Sequence, residues 1–202
     1  EECGLAVEVF NFGVGNYNSI QVAEAIRRQA SAVHPDLILY GFYWNDAEPV
    51  QEEADGIWEK SLYLSAFWRK VKMRVFSRPV GFLSYYGSLY EGAGWNSFAL
   101  SLEEIRLATQ ETGAELAVAL LPELRNLKDG LAERSYAKVE RHFLDRGVPV
   151  VNLLGALKSG DSSVYWVAKD DPHPNALAQM EIARMLRDRL FSSCRMPASP
   201  GK

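Results

Sequence analysis

The strongest constraint on the fold is the alternation of short apolar runs with amphipathic helical patterns. Four runs are apolar or β-branched enough to form strands, and they cover residues 5–12, 37–44, 116–121 and 148–154. The run at 37–44, LILYGFYW, is continuously apolar, which is typical of a strand covered on both faces of a parallel sheet. Strands that alternate with helices predict an α/β fold with three layers, αβα, around a parallel sheet.

Helical patterns separate these runs and would form the outer layers. They cover residues 20–33, 96–112, 131–145 and 174–192. Ser19 is expected to cap the first helix, Gly113 to end the second, and Pro174 to take the first position of the last. Ligands of such folds bind at the carboxyl ends of the strands, so the residues that follow each strand are candidates for a site.

Size and composition indicate one globular domain. The chain has 202 residues, of which 48% are hydrophobic and 24% charged, so it can bury a sizeable core. We assign residues 1–195 to this domain and 196–202 to a flexible tail. The net charge is −4 and Lys and Arg form no run, which argues against a nucleic-acid partner. No apolar run approaches the ~20 residues that span a bilayer, so no membrane span is predicted.

Compartment and oligomeric state stay open at this level. Cys3 and Cys194 lie near opposite ends without metal-ligand spacing, and they could form a disulfide or remain two thiols. No secretory pattern begins at Glu1, which is not a methionine, so any targeting signal would lie upstream of it.

The loop at residues 170–175, DDPHPN, has the residue types of a hydrolytic dyad. Asp170 precedes His173 by three positions, so its carboxylate could lie behind the imidazole without help from the rest of the fold. In acyl transfer the imidazole takes a proton from a nucleophile while the carboxylate fixes its tautomer. Asp171 is a second candidate for the acid. The alternative interpretation is a turn before a helix, with an exposed and idle His173.

Two asparagines lie where oxyanion donors are expected. Asn45 directly follows the apolar strand at 37–44, and Asn16 lies in the glycine-rich loop after residues 5–12. The Asn45 amide and the Asn16 backbone N–H could donate to a developing oxyanion, and loss of one such donor typically costs about 10²–10³ in rate. Alternatively, Asn45 simply ends a strand with a turn.

The stretch between residues 46 and 95 interrupts the alternation. Residues 46–59 are acidic, 61–76 have a helical pattern, and 78–95 are rich in glycine and aromatics. We interpret this region as a packed insertion in preference to a lid. The candidates to line a substrate pocket are Tyr43, Trp44, Trp166 and the loop at 85–95.

Three segments in order resemble the conserved blocks of the SGNH hydrolases, also called GDSL-type lipases or acylhydrolases. Residues 11–19 (NFGVGNYNS), 41–46 (GFYWND) and 170–175 (DDPHPN) are similar to the second, third and fifth blocks of that family. The resemblance implies a doubly wound, flavodoxin-like sheet. It also implies Asn16 and Asn45 as the oxyanion hole, His173 as the base and Asp170 as its orienting acid.

The first block of the family, which holds the nucleophilic serine, has no counterpart here. The resemblance places it on a strand upstream of Glu1, between the strands at 5–12 and 37–44, and without it the strand at 5–12 would have no neighbour. Gly160-Asp161-Ser162 matches the block in letters, but it does not follow a strand. Ser19 is better explained as a helix cap. The chain alone is therefore expected to be close to inactive.

These features favour an ester hydrolase of the Ser-His-Asp type in the complete protein, acting on carboxylic esters or on acyl or acetyl groups of lipids or carbohydrates. The alternative is a non-catalytic SGNH-like module that binds a glycan or an acyl group. A dinucleotide-binding domain is disfavoured because Asn18 stands where the third glycine of that fingerprint belongs. His34, His142 and His173 match no metal-ligand spacing, so neither a metal nor another cofactor is expected.

Overall fold

The computed structural model describes residues 6–50, 85–124, 130–155, 157 and 161–191. Several predictions fall outside these residues. They are the helical pattern at 61–76, the acidic stretch beyond residue 50, the tail at 196–202, and the two cysteines Cys3 and Cys194.

The described residues form a mixed α/β structure around a three-stranded parallel sheet. Its strands are β1 (Leu37–Phe42), β2 (Glu115–Leu120) and β3 (Val150–Asn152), in the spatial order β1-β2-β3. β1 pairs with β2 along its whole length, from Leu37 opposite Glu115 to Phe42 opposite Leu120. The predicted strands at 37–44, 116–121 and 148–154 are thus confirmed, although each ends earlier than its apolar run.

Within the described residues, the helices that flank the sheet are α1 (Ser19–Gln29), α2 (Gly92–Thr112), α3 (Gly130–Leu144) and α4 (Ala176–Leu190). Gly113 ends α2 as predicted, because it adopts a left-handed φ of 79° that other residues rarely take. A two-stranded antiparallel hairpin of β4 (Trp166–Ala168) and β5 (Asp171–Pro174) precedes α4.

Helices cover both faces of the sheet. Val118 and Leu120 of β2 pack into the larger core with α1, α2 and α3. This core includes Leu102 of α2 and Val139 of α3. The alternate residues Ala117 and Ala119 face a second cluster that includes Leu190 of α4. Successive side chains of a strand point to opposite faces of the sheet, so the two clusters lie on opposite faces. The sheet therefore separates two layers of helices.

The prediction of a strand at residues 5–12 is wrong for residues 6–12, the part of this range that the structure describes. Residues 6–12 form no strand, and Val7 and Val9 are 71% and 84% exposed. A strand needs a partner for its backbone N–H and C=O groups. Within the described part of the chain β1 pairs only with β2, so its other edge offers residues 6–12 no neighbour.

The helix α2 begins at Gly92, four residues before the predicted start, and the start signals predicted for two other helices are wrong. Asn18 caps α1 in place of Ser19, since its side-chain oxygen accepts from the Gln21 N–H while the Gln21 side chain accepts from the Asn18 N–H. Asn175 caps α4, and Pro174 is the last residue of β5 rather than the first of the helix. In both cases asparagine, which caps as well as serine, occupies the extended position before the helix.

None of the helices in the described residues is both long and apolar enough to cross a membrane.

The cap of α1 gives a stability test. We expect Asn18→Ala to lower the free energy of unfolding by about 1 kcal/mol, because it removes the side-chain oxygen that accepts from the Gln21 N–H, while the backbone N–H at position 18 can still donate to the Gln21 side chain. Asn96→Ala, at an exposed position of α2, is the matched control and should leave stability unchanged or slightly raised. Urea unfolding followed by circular dichroism measures both, and equal effects would contradict the capping role.

Candidate active site

A cavity of 260 Å³ lies where β1 and β2 end. Tyr43, Trp44 and Asn45 follow β1 directly, and Glu123 follows β2 after two residues. The described residues that line the cavity are Asn16, Tyr43, Trp44, Asn45, Tyr86, Glu123 and His173. The structure therefore brings both predicted oxyanion donors, the predicted base, and the predicted pocket aromatics Tyr43, Trp44 and Tyr86 to one place.

Trp166 does not line this cavity. It packs beside a separate cluster formed by Leu124, Leu157 and Ala178. Its position outside the cavity does not support the prediction that it contacts substrate.

His173 is presented by the β4–β5 hairpin. The imidazole Nδ1 lies 2.5 Å from Oδ1 of Asp171, and the same oxygen accepts from the His173 backbone N–H at 3.2 Å. Asp170, the acid implied by the family's spacing, lies exposed in the turn before β5. The carboxylate beside the imidazole is therefore that of Asp171, which lies two positions before His173 in β5, so that the two side chains share one face of the strand.

Asn175 fixes the hairpin against the start of α4. Its backbone N–H donates to the Tyr165 carbonyl at 2.9 Å, and its side-chain amide donates to the Val164 carbonyl at 2.8 Å. Its side-chain oxygen accepts from the Ala178 N–H and so caps the helix. One asparagine thus sets the position of the hairpin that presents His173.

Asn16 adopts a left-handed backbone conformation. Its φ is 65°, in a turn closed by the Tyr17 N–H donating to the Val14 carbonyl at 3.3 Å. Asparagine is enriched in this region of backbone space and keeps the N–H that proline would lack. The residue is exposed at the rim of the cavity.

Asp46 holds the cavity residue Tyr43 in place from within the core. This carboxylate is buried, and its Oδ2 accepts from the Tyr40 hydroxyl at 2.6 Å and from the Tyr43 N–H at 3.1 Å. Burial raises the pKa of Asp46 to about 7, although both hydrogen bonds favour the charged form. Asn45 therefore lies between Tyr43 and Asp46 in sequence, and the hydrogen bond between these two residues fixes the turn that holds it.

Two tyrosine hydroxyls at the cavity are bound to carboxylates. Tyr43 donates to Oε2 of Glu123, and Tyr86 donates to Oε1 of Glu48. The Tyr86 ring stacks on Trp44 with 5.2 Å between centroids, and burial raises the pKa of Tyr86. Tyr86 lies in the predicted aromatic loop, whereas Glu123 was missed; its place just after a strand was the signal that could have identified it.

The serines considered from sequence lie elsewhere. Ser19 is buried and its Oγ lies 2.5 Å from Oγ of Ser101, between α1 and α2. Ser162 opens a short 3₁₀ helix that Asp161 caps. Neither lines the cavity, and the described lining contains no serine or cysteine.

Side chains that could bind a metal do not cluster within the described residues. Among them no three His, Cys, Asp or Glu side chains come together as a metal site would require.

Comparison with known protein families, characterised proteins and solved structures found no match to this chain.

Asp46 gives the cavity wall a pH-dependent stability. Its pKa is about 7 folded and 3.8 in its ordinary state, so its contribution to folding is fully present below about pH 4. This contribution is lost as pH rises to 7, at a slope of up to about 1.4 kcal/mol per pH unit. Asp46→Asn keeps an acceptor for Tyr40 and Tyr43 without a titrating group.

The measurement is the difference in free energy of unfolding between the wild type and Asp46→Asn from pH 4 to pH 8. We expect the variant to gain stability relative to the wild type as pH rises. A difference that does not change with pH would show that Asp46 is already charged in the folded protein at pH 4.

Proposed function

We propose that the complete protein is an ester hydrolase of the serine type, acting on carboxylic esters or on acyl or acetyl groups. The observation that carries the proposal is one cavity lined by His173, which has a carboxylate partner, and by the two asparagines Asn16 and Asn45. General base and oxyanion donors must face one reacting carbonyl, and a shared cavity is the arrangement that this chemistry requires.

In the proposed reaction a serine hydroxyl attacks the ester carbonyl carbon and His173 takes its proton. Because Nδ1 of His173 faces Asp171, the other nitrogen, Nε2, is the base. The oxyanion accepts from the Asn45 side-chain amide and the Asn16 backbone N–H. Protonated His173 then gives its proton to the departing alcohol, and water releases the acyl group by the same steps.

The nucleophile belongs, in this proposal, to a segment outside the 202 residues. A strand beside the outer edge of β1 would end at the same side of the sheet as Tyr43 and Asn45, since parallel strands end together. The same strand would provide the neighbour that residues 6–12 lack, and would complete the doubly wound order of an SGNH-like sheet. The exposed apolar side chains of residues 6–12 support this step.

A non-catalytic binding module is the second candidate. It is favoured by the described lining of the cavity, which combines aromatic rings and a carboxylate and contains no nucleophile. Such a module would use the same cavity to hold a glycan, and His173 would be a contact residue.

Replacement of the base tests the hydrolase directly. In the protein translated from the whole reading frame, His173→Asn should lower kcat for p-nitrophenyl acetate by about 10²–10⁴, which is the typical contribution of a general base. His34→Asn is the matched control, because His34 is exposed in a loop outside the cavity.

A fluorophosphonate probe complements this assay. It should label one serine in the wild type, and mapping of the labelled peptide identifies the nucleophile. Equal turnover by the wild type and His173→Asn would contradict the hydrolase. Absence of both turnover and labelling, with retained ligand binding, would favour the binding module.

The two neighbouring aspartates give a further prediction. We expect Asp171→Asn to lower kcat by about 10²–10⁴, since it removes the carboxylate that orients the imidazole, and Asp170→Asn to remain close to the wild type. Both variants change one carboxylate to an amide in the same hairpin, so each controls for the other. The reverse order of effects would assign the orienting role to Asp170.

A further inference from the structure

We infer that Glu123 is a specificity-determining residue that accepts hydrogen bonds from the hydroxyl groups of a sugar or polyol, so that the ester substrate is an acylated carbohydrate. This inference rests on the proposed function, and it chooses between the lipid and carbohydrate substrates that the sequence left open. Four features of the cavity carry it.

The first feature is the position of Glu123 itself. It is only 9% exposed and yet lines the cavity, and the Tyr43 hydroxyl donates to its Oε2. An ionised carboxylate only accepts hydrogen bonds and has room for about four of them. Glu123 can therefore bind the Tyr43 hydroxyl and a ligand donor together.

The second feature is that Glu123 is held in place by a chain of contacts. Asp46 accepts from the Tyr43 backbone N–H, and the hydroxyl at the far end of Tyr43 donates to Glu123. A buried acceptor fixed in this way discriminates strongly, because a ligand without a matching donor leaves it with a lost hydrogen bond.

The third feature is that the described lining has no aliphatic and no Lys or Arg side chain. The lining residues of the described cavity are aromatic, amide, imidazole and carboxylate side chains. An acyl chain would meet aromatic rings there but no aliphatic side chain, and it would leave the Glu123 carboxylate without a ligand donor. A phosphate or sulfate group would meet the charge of Glu123 without a compensating cation.

The fourth feature is size. The cavity of 260 Å³ lies just below the roughly 300–1,000 Å³ typical of pockets for drug-sized ligands, so it suits a group the size of one ring. The Trp44–Tyr86 stack supplies an aromatic wall for the apolar face of such a ring. The hydroxyl of Tyr86 is held by Glu48, which keeps this wall in place.

The test compares two acetyl esters that differ in their alcohol. Methyl 6-O-acetyl-β-glucopyranoside offers hydroxyl donors to Glu123, and p-nitrophenyl acetate offers none. We expect Glu123→Gln to lower the ratio of kcat/KM for the sugar ester over the nitrophenyl ester by about tenfold, mainly through KM, because a charge-assisted hydrogen bond becomes a neutral one.

Two further variants serve as a control and as a second test of the same contact. Glu24→Gln, on the exposed surface of α1, makes the same chemical change outside the cavity and should leave the ratio unchanged. Tyr43→Phe removes the hydroxyl that positions Glu123 and should lower the ratio by a smaller factor; it also carries the test if Glu123→Gln does not fold. An unchanged ratio in both cavity variants, or equal losses with both esters, would overturn the inference.

A binding experiment separates this inference from the proposed hydrolase. Saturation-transfer NMR with methyl β-glucopyranoside, which has no ester, should give signals with the wild type that weaken in Glu123→Gln. These signals would support the sugar site even if no ester were hydrolysed. Binding of tetramethylammonium or phosphocholine that depends on Glu123, with no glucoside signals, would overturn it in favour of a cationic ligand.

Discussion

The parallel pairing of β1 with β2 is the constraint on which the candidate site depends. The register ends with Phe42 opposite Leu120, and the Leu121 N–H donates to the Phe42 carbonyl at 2.9 Å, so the two chains leave the sheet side by side. Tyr43 and Glu123 then meet although they are 80 positions apart in sequence. Since a parallel ladder fixes both strand ends at one edge, a change of register would separate this pair.

The unequal faces of β2 explain how the His173 hairpin reaches the same edge. Val118 and Leu120 fill the larger core, whereas Ala117 and Ala119 leave room on the other face for the cluster around α4. The hairpin precedes α4 directly, so helix packing against small side chains determines where His173 lies. The sheet thus positions the His173 hairpin through its packing and Asn45 through the end of β1.

The parts of the fold that sequence predicted are those fixed by local pattern. Apolar period and length identified β1, β2, β3 and the helices α1 to α4, and Gly113 marked a helix end because only its backbone conformation mattered. The failures depend on partners: residues 6–12 have strand composition but no neighbouring strand, and Asn18 competes with Ser19 for one cap. Glu123 was missed because its role comes from Tyr43, a contact that no local pattern contains.

The candidate site has one half that is buried and one that is exposed, and this asymmetry bears on how it could work. Asp46, Tyr43 and Glu123 are linked by hydrogen bonds within the core, so their geometry exists before any ligand arrives. His173 is 81% exposed in its side chain and depends on a turn within its own hairpin. A ligand or chain segment that covered the cavity would exclude water from the Asp171–His173 hydrogen bond. Because a hydrogen bond is electrostatically stronger where water is excluded, binding would order the exposed half against a preformed buried half.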